Sequence, residues 1–163
     1  MGSGKSTIAK KMAEVLNIQA LDLDEIIEKS QKKSIVDLFS EQGEVRFRKL
    51  EHQALVELLN ESVSFVLSLG GGTPCYANNH LLLQRDDVVS IYLKTSVEDL
   101  YNRLQHETQK RPLLISKDPE ELKEFIAKHL FERSYFYNQA KHVVSTDGRS
   151  VEELVLEIKK ILV

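Results

Sequence analysis

The chain opens Gly2-Ser3-Gly4-Lys5-Ser6-Thr7. Its Gly4-Lys5-Ser6 supplies the last three positions of the pattern G-x-x-x-x-G-K-[ST], whose first glycine would fall before Met1. Gly2 and Gly4 allow a tight turn that points backbone N–H groups inward. Ile8, Met12, Val15 and Leu16 then recur at helical spacing, which predicts a helix over 6–16. A helix N-terminus directly behind glycines is a ready anion site. In such a loop Lys5 reaches the β- and γ-phosphates of a nucleotide, and the Ser6 hydroxyl ligates Mg²⁺. A glycine–serine tag scar ahead of an ordinary amphipathic helix would read the same way, so the remainder of the chain must discriminate.

Strand and helix signals alternate from there on. Ile18–Leu21 is a short apolar step that ends at Asp22 and Asp24. Ser34-Ile35-Val36-Asp37 reads as a capping box opening a short helix that stops near Gly43. A longer helix follows over 44–60, with Val45, Leu50, Leu55 and Leu58 among its apolar positions. Phe65–Leu69 is a buried strand halted by Gly70-Gly71-Gly72, and Val88–Leu93 is another, followed by a helix capped at Ser96. A polar stretch with two prolines, about 105–119, reads as a mobile lid. A helix over 120–132, a strand over 142–145 and a last helix opening at Ser150-x-x-Glu153 complete the chain.

Such alternation predicts one α/β domain over 1–163, a three-layer αβα sandwich with a central parallel sheet. Ligands in such sheets bind beyond the carboxyl ends of the strands. A phosphate loop of this kind normally follows a central strand, and no strand precedes Gly2. The expectation is therefore that the first strand is missing and that the natural chain starts about ten residues upstream.

The composition sets bounds on function. With 163 residues, 42% hydrophobic and 29% charged, the chain is globular rather than disordered. A net charge of −3 argues against a general nucleic-acid binder. No run of about 18 apolar residues exists to span a membrane. The single cysteine, Cys75, leaves no internal disulfide or Cys-rich metal site and reads as a small packed side chain. A soluble cytoplasmic protein is expected.

The strand ends hold the candidate chemistry. Asp22 and Asp24 are two apart, and on an extended segment both would face the phosphate loop. One could hold Mg²⁺ through water while the other takes a hydrogen bond or proton from a substrate hydroxyl, although solvated acids at a strand exit give the same pattern. Glu51, three residues from Arg48, would orient that guanidinium to grip a carboxylate bidentately. Phe47 would wall an apolar substrate ring. Three glycines at 70–72 exceed what a turn needs and predict close approach of a ligand to the backbone. Ser68, just before them, would help hold the metal's waters. Arg111 on the polar loop would close over the γ-phosphate. Arg133 is a second candidate for the carboxylate. His52, His80, His106, His129 and His142 show no ligand spacing and are expected to be structural or exposed.

Taken together, GSGKST (2–7), LDLD (21–24), SIVDLFSEQGE (34–44) running into FRKLE (47–51), LSLGGG (67–72) and RPLL (111–114) resemble the shikimate kinase family. These are P-loop enzymes of nucleoside-monophosphate-kinase type. The resemblance implies ATP and Mg²⁺, with nucleotide contacts from Gly2, Ser3, Gly4, Lys5, Ser6 and Thr7. It puts Asp22 and Ser68 near the metal and gives shikimate to Asp24, Arg48, Gly70, Gly71, Gly72 and Arg133. Lys5, Asp24 and the lid's Arg111 would be catalytic, and Arg103 and Arg149 would flank the adenine. It further implies a monomer acting in aromatic amino-acid biosynthesis without nucleic-acid or membrane partners. A gluconate-kinase-like sugar-acid kinase and a non-catalytic nucleotide-binding homologue are the alternatives.

Overall fold

A computed structural model describes residues 2–105 and 118–162. The elements alternate as α1 (Lys5–Leu16), β1 (Gln19–Asp22), α2 (Leu23–Gln31), α3 (Ile35–Leu59) and β2 (Phe65–Ser68). After a short 3₁₀ turn at Thr73–Cys75 come α4 (Asn79–Leu82), β3 (Ile91–Lys94), α5 (Val97–Leu104), α6 (Pro119–Tyr137), β4 (His142–Ser145) and α7 (Val151–Leu162). Every described strand pair is parallel. Gln19 stands opposite Phe65 and Asp22 opposite Ser68, while Ile91 stands opposite His142.

The parallel strands pair as β1–β2 and β3–β4, and no described strand joins the ladder of β2 to that of β3. α1 bridges the halves through packing. Its Ile8 and Met12 share one cluster with Leu93, Val144, Leu154 and Ile158. A second cluster holds Leu23, Ile27, Leu38, Phe47, Leu55 and Leu58 beneath β1 and β2. A third joins α5 to α6 through Leu100, Leu104, Leu122 and Ile126. Full burial of each such side chain contributes about 1.5–3 kcal/mol.

Local signals set most helix starts. Ser34 Oγ accepts from the Asp37 N–H at 3.1 Å. Asp37 does not reach back to the Ser34 backbone and accepts from the Ser34 hydroxyl instead, at 2.6 Å. Ser150 and Glu153 close a full reciprocal box. The break at Gly43 is real: its φ of 75° and ψ of 169° interrupt α3. Beyond it the buried stripe runs Phe47, Glu51, Leu55, Leu58, and Val45 is 74% exposed. Packing selects that face of the helix, so apolar character at Val45 does not place it inside.

Candidate active site

One cavity of about 600 Å³ lies beyond the ends of β1 and β2. Gly2, Gly4, Lys5, Ser6 and Thr7 form its floor, with Arg103 beside them. Asp22, Asp24, Ser68, Gly70, Gly71 and Arg133 line it as well. Thus the phosphate loop and most of the strand-end candidates converge, as their positions at the carboxyl ends of parallel strands require.

Gly4 adopts φ 81° as the residue before α1, a backbone state that glycine enters without strain. The chain turns there straight into the helix, whose free N–H groups and positive dipole end face the cavity. Lys5 Nζ donates to Ser3 Oγ at 3.4 Å, and Ser3 is itself buried against the loop. Arg103 reaches the same loop from α5, donating to the Gly2 carbonyl at 3.4 Å.

Three oxygens meet at the helix start. Ser6 Oγ donates to Asp22 Oδ2 at 3.1 Å and stands 3.3 Å from Ser68 Oγ. An all-oxygen set of one carboxylate and two hydroxyls fits Mg²⁺, which takes few protein ligands and completes its octahedron with water and phosphate.

Asp24 sits in the cavity as expected, but for a different geometric reason. It is not on an extended strand. Asp22 ends β1 and caps α2, its Oδ1 accepting from the Asp24 N–H at 3.1 Å, so Asp24 lies in the first helical turn. Burial pushes the Asp24 carboxyl up to about 6, and neighbouring Asp22, Glu51 and Glu28 push the same way, against a smaller downward pull from Lys5.

The glycine run is crowded by side chains as well as open to the cavity. A Cβ at Gly70 would lie 3.3 Å from Asp24 Oδ1 and 3.4 Å from Glu51 Oε1. A Cβ at Gly72 would lie 2.6 Å from Arg48 Nη2, closer than real atoms approach. A methyl at 72 and the Arg48 guanidinium as it stands cannot share that space.

Arg48 itself stands behind Gly72, in an adjoining cavity of about 440 Å³ that Glu44, His52 and Tyr76 also line. Its Nη1 donates to Glu51 Oε2 at 2.9 Å. Its Nε and Nη2 both donate to Glu44 Oε1, at 3.3 and 3.2 Å. The rings of Tyr76, Phe47 and Phe39 surround the guanidinium at 4.1, 5.2 and 5.8 Å. Burial opposes the charge on Arg48, but the hydrogen bond and charge of Glu51 outweigh it and hold the guanidinium more firmly protonated than usual. Phe47 is 3% exposed and packs on Phe39 at 4.5 Å, so it belongs to the core rather than to a substrate wall.

Arg133 enters from within α6, which runs to Tyr137 and not to 132 as the sequence pattern suggests. Four residues on, Tyr137 Oη donates to the Gly71 carbonyl at 2.7 Å and binds α6 to the glycine run. Arg149 stands apart from the cavity. Its guanidinium donates to the Ser145 and Glu153 carbonyls and pairs with Glu157. Arg111 and the 105–119 lid, apart from its two ends, lie outside the described residues.

The sequence pattern does not single out Glu44, Thr73, Tyr76 or Asn79. One further signal is visible in retrospect: Glu51 occupies a position of the buried stripe, and a carboxylate there must be paired. It is 1% exposed.

Comparison with known proteins bears on this arrangement. A family model described as shikimate kinase matches residues 1–163. The chain is 57% identical over 162 residues to the shikimate kinase of Flavobacterium johnsoniae, covering 99% of this chain and 94% of that one. The crystal structure of shikimate kinase from Bacteroides thetaiotaomicron superposes with a TM-score of 0.89 at 33% identity, covering 99% and 93% of the two chains. Shikimate kinase from Acinetobacter baumannii, in complex with shikimate, gives 0.83 at 30% identity and covers 99% and 88%. These neighbours share the P-loop NTPase fold.

Proposed function

The chain belongs to the shikimate kinase family, whose members move the γ-phosphoryl group of ATP to a shikimate hydroxyl, and on that premise we propose how its own residues do so. The observation that carries the reading is the single cavity in which a phosphate loop faces Asp24, Gly70, Gly71 and Arg133. It supports a nucleotide tail on one side and a small hydroxylated acid on the other. The products are ADP and shikimate 3-phosphate.

Phosphoryl transfer passes through a loose transition state, so positioning and charge neutralisation dominate. The loop N–H groups and Lys5 hold the phosphates and stabilise charge on the transferred oxygens. Ser6 would hold Mg²⁺ directly, and Asp22 and Ser68 would hold it through water. When bound, that ion neutralises charge between the phosphates. Asp24 accepts the hydrogen bond of the attacking hydroxyl and orients it; as oxygen–phosphorus bonding develops, its carboxylate takes the proton. Arg103 packs against the loop at the nucleotide's side. The family resemblance would give Arg111 the remaining charge at the γ-phosphoryl group.

The acid's carboxylate lies between Arg48 and Arg133. The Nε/Nη2 edge of Arg48 is the one that substrate takes, in place of Glu44. Glu44 can give way there, since its side chain is 51% exposed. Glu51, buried, stays on Nη1 throughout.

A coupled ADP-release assay tests the reaction. Turnover with shikimate should exceed turnover with gluconate by at least about 100-fold, as expected when hydroxyls and a ring must match buried polar partners. Comparable rates with gluconate would favour the sugar-acid kinase reading, and no turnover with either would favour a non-catalytic homologue.

Gly72→Ala isolates the role of the close approach. The added methyl displaces the Arg48 guanidinium, so the shikimate KM should rise about tenfold or more. The ATP KM should stay unchanged. An equal rise in both constants would mean that the whole loop, and not Arg48, had moved.

A further inference from the structure

Behind Arg48 lies a hydrogen-bonded chain. Thr73 Oγ1 donates to Glu51 Oε1 at 2.7 Å, leaving Oε2 for Arg48. Asn79 Nδ2 donates to the Thr73 carbonyl at 2.9 Å. Asn79 Oδ1 in turn stands 2.7 Å from His52 Nδ1, on the same helix as Arg48 and Glu51. Thr73 and Asn79 are both fully buried. The backbone between them is constrained as well: Ala77 and Asn78 adopt φ of 49° and 56°, consecutive left-handed states that L-residues seldom occupy. That turn carries Tyr76 onto the Arg48 guanidinium. Buried polar groups this far from water persist only when paired, and strain of this kind is retained where the surroundings impose it.

We propose that Thr73 and Asn79 are positioning residues for the substrate carboxylate, the strap 72–79 fixing Glu51 so that Glu51 fixes Arg48. The proposal rests on reading Arg48 as the carboxylate's partner. Neither residue lines either cavity. With the Thr73 hydroxyl absent, Glu51 loses a donor on Oε1 and its carboxylate is free to rotate. The Arg48 fork then loses its defined plane, although its charge remains.

Thr73→Val removes the hydroxyl and keeps the shape. It should raise the shikimate KM about 5- to 20-fold, the scale of one hydrogen bond to a charged group. The kcat and the ATP KM should each stay within about twofold of the parent. Thr73→Ser, which restores the donor, should recover at least half of the logarithmic loss. Asn79→Ala provides the second reading and should give the same split, and it replaces Thr73→Val if that variant fails to fold. A shikimate KM within about twofold of the parent in the folded variant, or an ATP KM that rises in step, overturns the proposal. Arg48→Lys assayed alongside separates the two levels. If it leaves the shikimate KM unchanged, the carboxylate reading itself fails; if it raises that KM and Thr73→Val does not, only the strap's role fails.

Discussion

Asparagine in place of Asp24 lowers kcat by about 10²- to 10⁴-fold, the range expected when a positioned base is removed from a proton-transfer step. The amide keeps the shape and one acceptor oxygen, so shikimate still binds. It cannot take the proton of the attacking hydroxyl. Steady-state ADP release measures the effect, and a variant retaining more than about a tenth of the parent kcat would remove Asp24 from its assigned role. The pH profile gives an independent reading. Desolvation and the acids around it raise the Asp24 carboxyl to about 6, with Lys5 pulling the other way. Because the active form is ionised, kcat/KM of the parent should fall about tenfold per pH unit below 6 and level off above it. That acidic limb should be missing from Asp24→Asn.

Stability moves in the opposite direction. A carboxyl whose pKa is higher in the folded state than in the unfolded chain favours folding while protonated. That stability is present below the ordinary value of 3.8 and is lost as pH rises through about 6. The parent at pH 7 therefore carries the full cost of an ionised, partly desolvated Asp24. The Asp24→Asn variant should melt about 2–4 °C higher at pH 7, and the gap should close towards pH 4. A lower Tm at pH 7 would mean that the ionised carboxylate is a net stabiliser, in conflict with its surroundings.

Arg48→Ala raises the shikimate KM by about 30-fold or more, because the substrate's carboxylate then enters without its charged partner. It also leaves Glu51, 1% exposed, without its cation. Breaking a buried pair from one side costs about 3–5 kcal/mol, or roughly 6–20 °C in Tm for a chain of this size. The Thr73 hydroxyl remains on Glu51 and places the loss towards the lower figure. Arg48→Lys separates binding from folding: the charge survives and the planar fork does not. It should lose affinity for shikimate while keeping most of the Tm. A shikimate KM within about twofold of the parent in Arg48→Ala would place the carboxylate elsewhere.

What the sequence by itself determined about this protein is what short-range chemistry writes down. Glycines followed by a helical stripe specify the phosphate loop and α1, because turn and helix start are decided within a few residues. Ser34, Ser96 and Ser150 mark helix starts through bonds spanning three residues. Asp24, Ser68 and the glycine run were legible as a site through their place at strand ends, although the cap at Asp22 that turns Asp24 inward was not. The tertiary structure alone decided the rest. Packing selects the Phe47–Glu51–Leu55–Leu58 face of the helix beyond Gly43, so Phe47 turns into the core and Val45 out of it. α6 continues past 132 and carries Arg133 to the cavity on its own scaffold. Thr73 meets Glu51 across 22 positions and Tyr137 meets Gly71 across 66. No local propensity encodes such pairings; they exist because packed helices and strands bring distant polar groups into places where leaving them unpaired would cost more than the fold can sustain.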